Sequence, residues 1–328
     1  MHELQIRTGA RLHFGLILSA SGADHHFAGV GLMVDNPGWH LQISIATAAD
    51  SLAADEPTST RMKSLLRNIR AVHSHVPSLQ ISVREALPPH AGLGSGTQLA
   101  LATVAGVLEL CRPVTPVTRD QIIALSGRAE RSAIGSAGFF SGGFLVDHGE
   151  NAAEPRVESL PVPSHWRFVL LRPERRQGLS GQAERKWFGS RPQMPEQLVQ
   201  QLTLLARQQL CDSLQERTFE RWSEALQNYG DLAGEFYAKF QGHIFADPAV
   251  RTAAARLREQ GVRGIAQSSW GPGVCIPASD SEHADWIIRQ LPSEVAGIRL
   301  LHEVVSPLNS GASISYPAGE QYPHGQIC

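Results

Sequence analysis

Alternating apolar and polar residues in several short segments predict β-strands. The pattern covers residues 4–6 and 12–16, on either side of Thr8-Gly9-Ala10, and predicts two strands joined by a turn. The apolar run 167–171 predicts a strand that is buried on both faces. The remaining predicted strands are 41–45, 79–83, one within 138–146, a pair around a turn within 264–276, and 298–305.

Apolar residues spaced by three or four positions predict helices in the other segments. This spacing covers residues 62–72 and the second half of the segment 90–110. Thr118 and Gln121 have the spacing of a capping box, which predicts the start of a helix over 119–130. The other predicted helices are three within 193–260 and one near 281–291.

The length of 328 residues suffices for two ordinary domains or for one large α+β unit. The proline-rich stretch 155–163 is the weakest point for a boundary. We therefore predict an N-terminal domain over 1–160 and a C-terminal domain over 161–328.

Composition and charge exclude several classes of partner. A hydrophobic fraction of 42% and a charged fraction of 18% are typical of a globular protein. The formal net charge of −2 gives no strong field that would attract nucleic acid or an anionic membrane. No segment has the apolar length of a signal peptide core or of a membrane span. Four scattered cysteines suit a reducing compartment, so we predict a cytoplasmic protein. They are Cys111, Cys211, Cys275 and Cys328.

The glycine-rich segment after Pro88-Pro89 predicts a phosphate site. A helix start leaves backbone N–H groups unpaired and carries a partial positive charge. Glycines allow an anion to approach the backbone closely, and Ser and Thr hydroxyls add donors. The segment lacks the Lys of a P-loop NTPase and the spacing of a dinucleotide fingerprint. The predicted phosphate-binding residues are Gly92, Leu93, Gly94, Ser95, Gly96 and Thr97.

The run from Pro88 to Thr97 closely resembles the phosphate loop of the GHMP superfamily, which has the form P-x-x-x-G-L-G-S-[GS]-[ST]. Two further segments, Thr8–Leu12 and Gln267–Gly273, lie where that superfamily has its first and third motifs. The resemblance implies an α+β, GHMP-type two-domain fold. It also implies a ribosomal S5 domain 2-like N-terminal domain and a ferredoxin-like α/β sandwich as the C-terminal domain.

The chain departs from the kinases of this superfamily at one functional position. Kinases of the mevalonate type carry Ser-Gly-Ile-Asp after the second helix, and this Asp assists the attacking hydroxyl. The matching segment here is Ser132-Ala133-Ile134-Gly135, with glycine in place of the carboxylate. Because loss of a general base costs about 10²- to 10⁴-fold in rate, we do not expect kinase activity.

One branch of the superfamily, the β-ribofuranosylaminobenzene 5′-phosphate synthases, is similar over the whole length. The matching phrases are 10–16, 127–135, 139–144, 178–181 and 267–272. The resemblance implies condensation of 4-aminobenzoate, or of 4-hydroxybenzoate in some members, with phosphoribosyl pyrophosphate. Carbon dioxide and pyrophosphate leave, Mg²⁺ is the cofactor, and the pathway is tetrahydromethanopterin biosynthesis. A homodimer, as in relatives, is compatible with this interpretation.

Arginines within the matched phrases suit the anionic groups of such substrates, because the guanidinium fork matches phosphate and carboxylate oxygens. His13 lies in the same phrase as Arg11, and its ordinary alternative is a surface or core histidine. The predicted catalytic residues are Arg11, His13, Arg128 and Arg131. The third motif adds Ser268, Ser269, Trp270 and Gly271 to the phosphate- and substrate-binding residues.

Several other residues have an ordinary role as the stronger alternative. Asp35 could hold Mg²⁺ or a ribose hydroxyl, but Asp-Asn-Pro-Gly is an ordinary turn start. His25-His26 lacks a third metal ligand and indicates a loop. Trp270 and Phe139 could stack on an aromatic acid, although buried aromatic residues usually belong to the core. Glu130 and Glu184 are candidate Mg²⁺ ligands, although such carboxylates are more often solvated.

Two rival functions stay open at this point. The first is a GHMP-type ATP-dependent small-molecule kinase whose base lies elsewhere in the chain. The second is a non-catalytic module that retains the phosphate loop and binds a phosphorylated metabolite. Release of ADP with one alcohol would favour the first, and tight ligand binding without turnover would favour the second.

Overall fold

The computed structural model describes residues 3–21, 24–111, 117–127, 132–149, 156–175, 186–190 and 192–317, with the backbone alone at 20, 21 and 24–26. The architecture consists of a seven-stranded and a five-stranded sheet, each covered by helices. This arrangement confirms the predicted α+β class. Among the described residues, no helix combines the length and the apolar character needed to cross a bilayer.

The first sheet is built around a long antiparallel pair of strands, which runs from the beginning of the described chain. Its strands are β1 (Glu3–Ser21), β2 (Asp24–Ile45), β3 (Ser51–Ala53), β4 (Leu79–Glu85), β5 (Phe144–Asp147), β6 (Val157–Leu160) and β12 (Ser313–Ser315). The order is β12-β1-β2-β4-β3, with β5 pairing β2 and β6 pairing β5. Alternation along β1 buries Leu4, Ile6, Leu12 and Phe14, as the sequence pattern predicts.

Helices α1 (Glu56–Val72), α2 (Ser95–Cys111) and α4 (Ile134–Ser141) pack on the first sheet, and α3 (Arg119–Ser126) packs against α1 and α2. Every residue of α2 from Gln98 to Leu108 is buried, because other elements surround this helix. The predicted capping box at Thr118 and Gln121 is present. The helix it starts ends at Gly127, whose φ of 61° is left-handed, rather than extending to 130 as predicted.

The second sheet is antiparallel throughout, in the order β10-β11-β7-β9-β8. Its strands are β7 (Arg167–Pro173), β8 (Ala266–Gln267), β9 (Val274–Ala278), β10 (Glu294–Val295) and β11 (Ile298–Val305). The helices that follow β7 are α5 (Glu196–Leu204), α6 (Cys211–Gln215), α7 (Phe219–Gln241), α8 (Pro248–Glu259) and α9 (Ser281–Gln290). Helices α8 and α9 pack on the second sheet, α5 and α6 contact the first, and α7 contacts both. A π-helical stretch, Leu205–Leu210, joins α5 to α6.

The two sheets share one hydrophobic core. Trp222 of α7 is fully buried, and its ring lies 5.7 Å from that of Phe144 in the first sheet. The same ring lies 6.1 Å from Phe168 in the second sheet. The chain passes from the first sheet to the second between Leu160 and Arg167. The domain boundary at 160 and 161 stays a prediction, and β12 returns to the first sheet beside β1.

Local predictions differ from the structure at several points. Thr8-Gly9-Ala10 forms a bulge within one continuous strand, where the register with β2 shifts. Gly9 permits a close approach there, because a Cβ would lie 1.9 Å from the carbonyl oxygen of Val34. The first part of 138–146 is helical, because α4 extends to Ser141 and buries Phe139. Strand β12 was not predicted, since three residues carry too little periodicity to be recognised.

Candidate functional site

The glycine-rich loop precedes α2 and leaves backbone donors available at its helix start. Gly92 and Gly94 have φ values of +82° and +71°, which side chains rarely adopt. The N–H groups of Thr97 and Gln98 donate to the carbonyl oxygen of Gly94 at 2.9 and 3.0 Å. Within the described chain, the N–H groups of Ser95 and Gly96 have no hydrogen-bond acceptor. An anion at this position would complete the helix start.

Two neighbouring segments hold this loop in place. The N–H of Arg11 in β1 donates to the carbonyl oxygen of Leu93 at 3.0 Å. The hydroxyl of Ser268 donates to the carbonyl oxygen of Gly92 at 2.6 Å and accepts from the N–H of His13 at 3.0 Å. Ser268 is only 1% exposed, so these contacts are shielded from water. The structure thus brings the first, second and third predicted motifs together.

Arg11 crosses the face of the loop. Its Nη1 donates to the hydroxyl of Ser269 at 2.9 Å. A Cβ at Gly94 would lie 3.2 Å from Nε and 3.5 Å from Cζ of this arginine. The guanidinium therefore lies against the glycine at the helix start, where it adds a positive charge to the partial charge of the helix.

Gly135, which the resemblance aligns with the kinase carboxylate, lies beside Thr97 of the phosphate loop and Arg11. A Cβ at Gly135 would lie 3.1 Å from Cγ2 of Thr97 and 3.7 Å from Nε of Arg11. An aspartate here would therefore reach the phosphate loop and the arginine. Because Gly135 has no side chain, it places no carboxylate beside Thr97 and Arg11.

His13 is buried and neutral. Burial, with a smaller contribution from the Arg11 cation, lowers the pKa of His13 to about 3. The N–H of Gly15 donates to Nδ1 at 3.4 Å, so the ring proton is on Nε2. Nε2 lies 3.2 Å from the hydroxyl oxygen of Ser132 and donates to it. His13 is therefore a hydrogen-bond donor at neutral pH rather than a cation.

This pKa makes stability depend on pH. An unfolded histidine titrates near 6.5, whereas the folded chain resists protonation of His13 down to about pH 3. The free energy of unfolding is therefore unaffected by His13 titration above pH 6.5. Below that pH it decreases, by at most about 1.4 kcal/mol per pH unit, because only the unfolded chain binds a proton at His13. His13→Gln retains an N–H at the same distance along the side chain. We expect urea unfolding from pH 7.5 to 5.0 to show wild type losing stability relative to this variant.

Other histidines whose burial lowers the pKa are present in both proteins, so the difference isolates His13. They are His40, His243 and His283. A difference in unfolding free energy that stays constant across this pH range would contradict the assignment of a neutral His13.

A buried carboxylate fixes the start of α4. Asp147 is 2% exposed and accepts from the N–H of Ala133 at 2.8 Å. It also accepts from the N–H of Gly149 at 3.1 Å and pairs with Nε of Arg156 at 3.2 Å. Since Ala133 follows Ser132, this carboxylate helps to place the Ser132 hydroxyl beside His13.

A cavity of about 180 Å³ lies between β1, α7 and the third-motif turn. Trp270 and Tyr237 form part of its wall with their rings 5.3 Å apart and nearly perpendicular. Gly230, Ala233 and Gly234 line it from α7, and their small side chains leave the space open. Among its described lining residues Arg11 is the only charged side chain at neutral pH, since His13 is neutral.

The described structure gathers most of the predicted site residues and separates a few from them. Arg11, His13, Thr97, Ser269 and Trp270 line the cavity. Phe139 is fully buried against Phe140 and is a core residue. Asp35 is exposed, accepts from the N–H of Ser306 at 2.9 Å and does not line the cavity. It lies within β2, so the predicted turn start is wrong. The backbone of His25 and His26 also belongs to β2 rather than to the predicted loop, and their side chains lie outside the described residues. Arg128, Arg131, Glu130, Glu184 and the segment 178–181 lie outside the described residues as well.

The described residues do not fit a protein-held magnesium site. Mg²⁺ is usually bound through one or two carboxylates together with substrate phosphates. Within the described part of the chain, no group of three or more His, Cys, Asp or Glu side chains could hold a metal ion. The described cavity lining offers hydroxyls and amides but no carboxylate. No chemical step is therefore assigned to a protein-bound metal.

Four polar residues among the described cavity lining were not predicted. Ser132 and Gln267 stand within matched phrases but have no distinctive chemistry in the sequence. Tyr237 and Gln241 belong to α7 and reach the cavity only through packing of that helix against β1. The signal that could have found them is the helical spacing of small residues at 230, 233 and 234 ahead of 237 and 241.

Comparison with known sequences identifies a match to one domain family and matches to individual enzymes. The model for the GHMP kinases N terminal domain matches residues 60–143. Beta-ribofuranosylphenol 5′-phosphate synthase of Methanothermobacter thermautotrophicus is 26% identical over 295 residues, which cover 83% of this chain and 88% of the relative. The enzyme of the same name from Archaeoglobus fulgidus is 27% identical and covers 70% of this chain and 76% of the relative.

Solved structures show the same fold at low identity. Homoserine kinase from Cytophaga hutchinsonii superposes with a TM-score of 0.63 at 15% identity, covering 96% of this chain and 98% of that one. Mevalonate diphosphate decarboxylase from Staphylococcus aureus gives 0.64 at 12% identity, covering 96% and 98%. The chain is thus a distant homologue of the beta-ribofuranosylphenol 5′-phosphate synthases, with the α+β fold of the GHMP kinase family.

Proposed function

We propose that this protein condenses phosphoribosyl pyrophosphate with 4-hydroxybenzoate or 4-aminobenzoate and releases CO₂ and pyrophosphate. The observation that carries the proposal is the aromatic-walled cavity beside a phosphate loop, with glycine at the position of the kinase carboxylate. The similarity to beta-ribofuranosylphenol 5′-phosphate synthases over 83% of the chain supports the same reaction.

The size of the cavity suits the aromatic acid. A cavity of about 150 Å³ accommodates benzene in an apolar protein core. The volume of about 180 Å³ here matches one substituted ring and is too small for a complete phosphoribosyl pyrophosphate. The larger substrate would therefore lie across the loop, with only its reactive carbon facing the cavity.

The loop provides groups that suit the anionic part of phosphoribosyl pyrophosphate. The N–H groups of Ser95 and Gly96 belong to the first turn of α2 and have no acceptor within the described chain. The Arg11 guanidinium lies against Gly94. Charge-assisted hydrogen bonds of this type are about twice as strong as neutral ones. They would also stabilise the charge that develops on pyrophosphate as it leaves.

The reaction needs neither an organic cofactor nor a protein base at the attacking atom. The ring carbon that bears the carboxylate attacks C1 of ribose, a C–C bond forms, and the C–O bond to pyrophosphate breaks. The para hydroxyl or amino group stabilises the ring cation. The C–carboxylate bond then breaks, its electron pair restores the aromatic ring, and CO₂ leaves. Since the attacking carbon carries no proton, a glycine at position 135 is compatible with this chemistry.

Shielding from water is the remaining requirement, because a ribosyl cation would otherwise react with it. Trp270 is 9% exposed, and Tyr237 is partly buried among aromatic rings. These side chains form an apolar wall beside Arg11 and His13. The wall would exclude bulk water from the ring and from the ribose carbon.

The test is turnover of phosphoribosyl pyrophosphate with each acid carrying a ¹⁴C label in its carboxylate. We expect equimolar release of ¹⁴CO₂ and pyrophosphate that requires both substrates. Release of ADP from ATP with a small alcohol would instead support the kinase. Tight binding of phosphoribosyl pyrophosphate without product would support a non-catalytic module.

The proposed reaction also involves Mg²⁺ and a place in metabolism. Mg²⁺ enters only as an ion carried by the pyrophosphate group, whose oxygens supply ligands that the described residues lack. A role in tetrahydromethanopterin biosynthesis, in the cytoplasm, follows from the proposed reaction and is tested with it.

A further inference from the structure

Gln267 of β8 lines the cavity with both protons of its amide already engaged. Its Nε2 donates to the carbonyl oxygen of Ser269 at 3.1 Å and to Oε1 of Gln241 at 3.2 Å. Its Oε1 accepts from the N–H of Ala246 at 2.7 Å. The backbone partners on each side fix which atom is oxygen and which is nitrogen.

Gln241, at the end of α7, also has both protons of its amide engaged. Its Nε2 donates to the carbonyl oxygens of His243 at 2.8 Å and Ile244 at 2.9 Å. Among the described residues, its Oε1 accepts a single hydrogen bond, from Gln267. An amide nitrogen carries two protons and an amide oxygen accepts two hydrogen bonds. The amide pair of Gln241 and Gln267 therefore retains acceptor capacity only.

Ser132, which lines the cavity from the segment before α4, has the opposite hydrogen-bonding capacity. Its hydroxyl oxygen accepts from Nε2 of His13 at 3.2 Å and from the N–H of Ile134 at 3.3 Å. Both lone pairs are thus engaged, and the hydroxyl proton has no acceptor among the described residues. Arg11, a pure donor, lines the same cavity.

We propose that the amide pair of Gln241 and Gln267 determines which aromatic acid this cavity binds, by selecting a hydrogen-bond donor in the para position. The amide pair accepts from that group, and the Ser132 hydroxyl and Arg11 donate to the carboxylate. The inference rests on the proposed function, since it names what distinguishes the acceptor substrate at the same site. A phenol hydroxyl and an aromatic amine both carry a proton to donate, whereas a carboxylate only accepts.

The para preference is tested by equilibrium binding to the full chain in the absence of phosphoribosyl pyrophosphate. 4-Methylbenzoate has the shape of 4-hydroxybenzoate but no proton to donate. One hydrogen bond contributes about 0.5–1.5 kcal/mol, so we expect 4-hydroxybenzoate to bind about 2- to 12-fold more tightly. In Gln241→Met this ratio should fall to about one, whereas the exposed Gln200→Met, outside the cavity, should retain it.

The carboxylate contact is tested with Ser132→Ala. A hydrogen bond to a charged group contributes about 1.5–3 kcal/mol, so this variant should weaken binding of 4-hydroxybenzoate and of 4-methylbenzoate by the same factor, about 10- to 150-fold, and leave binding of 4-methylphenol unchanged. A Gln241→Met protein that keeps the wild-type ratio, equal binding of the two acids by wild type, or no binding of any acid would overturn the inference.

These results separate the inference from the proposed function. Turnover of both substrates without a para preference in binding would refute the selection and leave the reaction standing. The expected binding pattern without any release of CO₂ or pyrophosphate would refute the reaction and leave the recognition standing.

Discussion

Gly94→Val is expected to weaken binding of phosphoribosyl pyrophosphate by at least about 100-fold. The glycine has a φ of +71°, and a Cβ there would lie 3.0 Å from Cβ and 3.2 Å from Nε of Arg11. A branched side chain would push the guanidinium aside and cover the anion-binding face of the loop. Loss of two charge-assisted hydrogen bonds, each contributing about 1.5–3 kcal/mol, gives this magnitude. Isothermal titration calorimetry would measure the dissociation constant directly.

Gly297→Val is the matched control. Gly297 has a φ of +78°, but no atom lies within 4 Å of the position its Cβ would take. This variant carries the same backbone strain, about 1–2 kcal/mol, away from the loop. It should lose a similar amount of thermal stability and bind phosphoribosyl pyrophosphate normally. If Gly94→Val bound with the wild-type constant, the loop would have to be removed from the site.

Arg11→Gln is expected to lower kcat/KM by about 10- to 100-fold while the protein stays folded. The substitution removes a cation that lies against the loop and contacts Ser269. A hydrogen bond to a charged group contributes about 1.5–3 kcal/mol, which corresponds to this range. Arg11→Lys should be intermediate, because lysine keeps the charge but not the planar fork. Steady-state kinetics with varied phosphoribosyl pyrophosphate would measure the effect.

Arg7→Gln removes the same charge from the same strand and serves as the control. Arg7 is 56% exposed and forms a surface ion pair with Glu85 at 3.5 Å, which contributes little to stability. Its kcat/KM should equal that of wild type. Unaltered kinetics in Arg11→Gln, or an equal loss in both variants, would exclude a specific role for Arg11.

The contiguous parts of the site could be predicted from the sequence. The glycines and hydroxyls of the phosphate loop belong to one short segment, and the physics of a helix start depends on neighbours in the chain. The loop precedes α2 as expected, and the third motif lies against it through Ser268. The glycine at position 135 also faces the loop, so its consequence could be anticipated from alignment with the kinase motif.

The rest of the site depends on contacts between distant segments, which local patterns do not contain. Gln241 and Gln267 become acceptors only because backbone carbonyls at 243, 244 and 269 use three of their four amide protons and Oε1 of Gln241 uses the fourth. The neutral state of His13 follows from its burial, whereas its alternating position in the strand suits either a surface or a core residue. Thr8-Gly9-Ala10 looks locally like a turn, but pairing with β2 keeps it in an extended strand with a bulge.

The pairing of β12 with β1 has a consequence for how the protein is made. Residues 5–7 bond to residues 313–315, so the partners are separated by almost the whole chain. A ribosome must therefore release the chain as far as residue 315 before β1 acquires this neighbour. Until then that strand presents unsatisfied backbone groups along one side, a known route to wrong association between nascent chains. Closure of this edge is a late event, since such distant ends meet slowly.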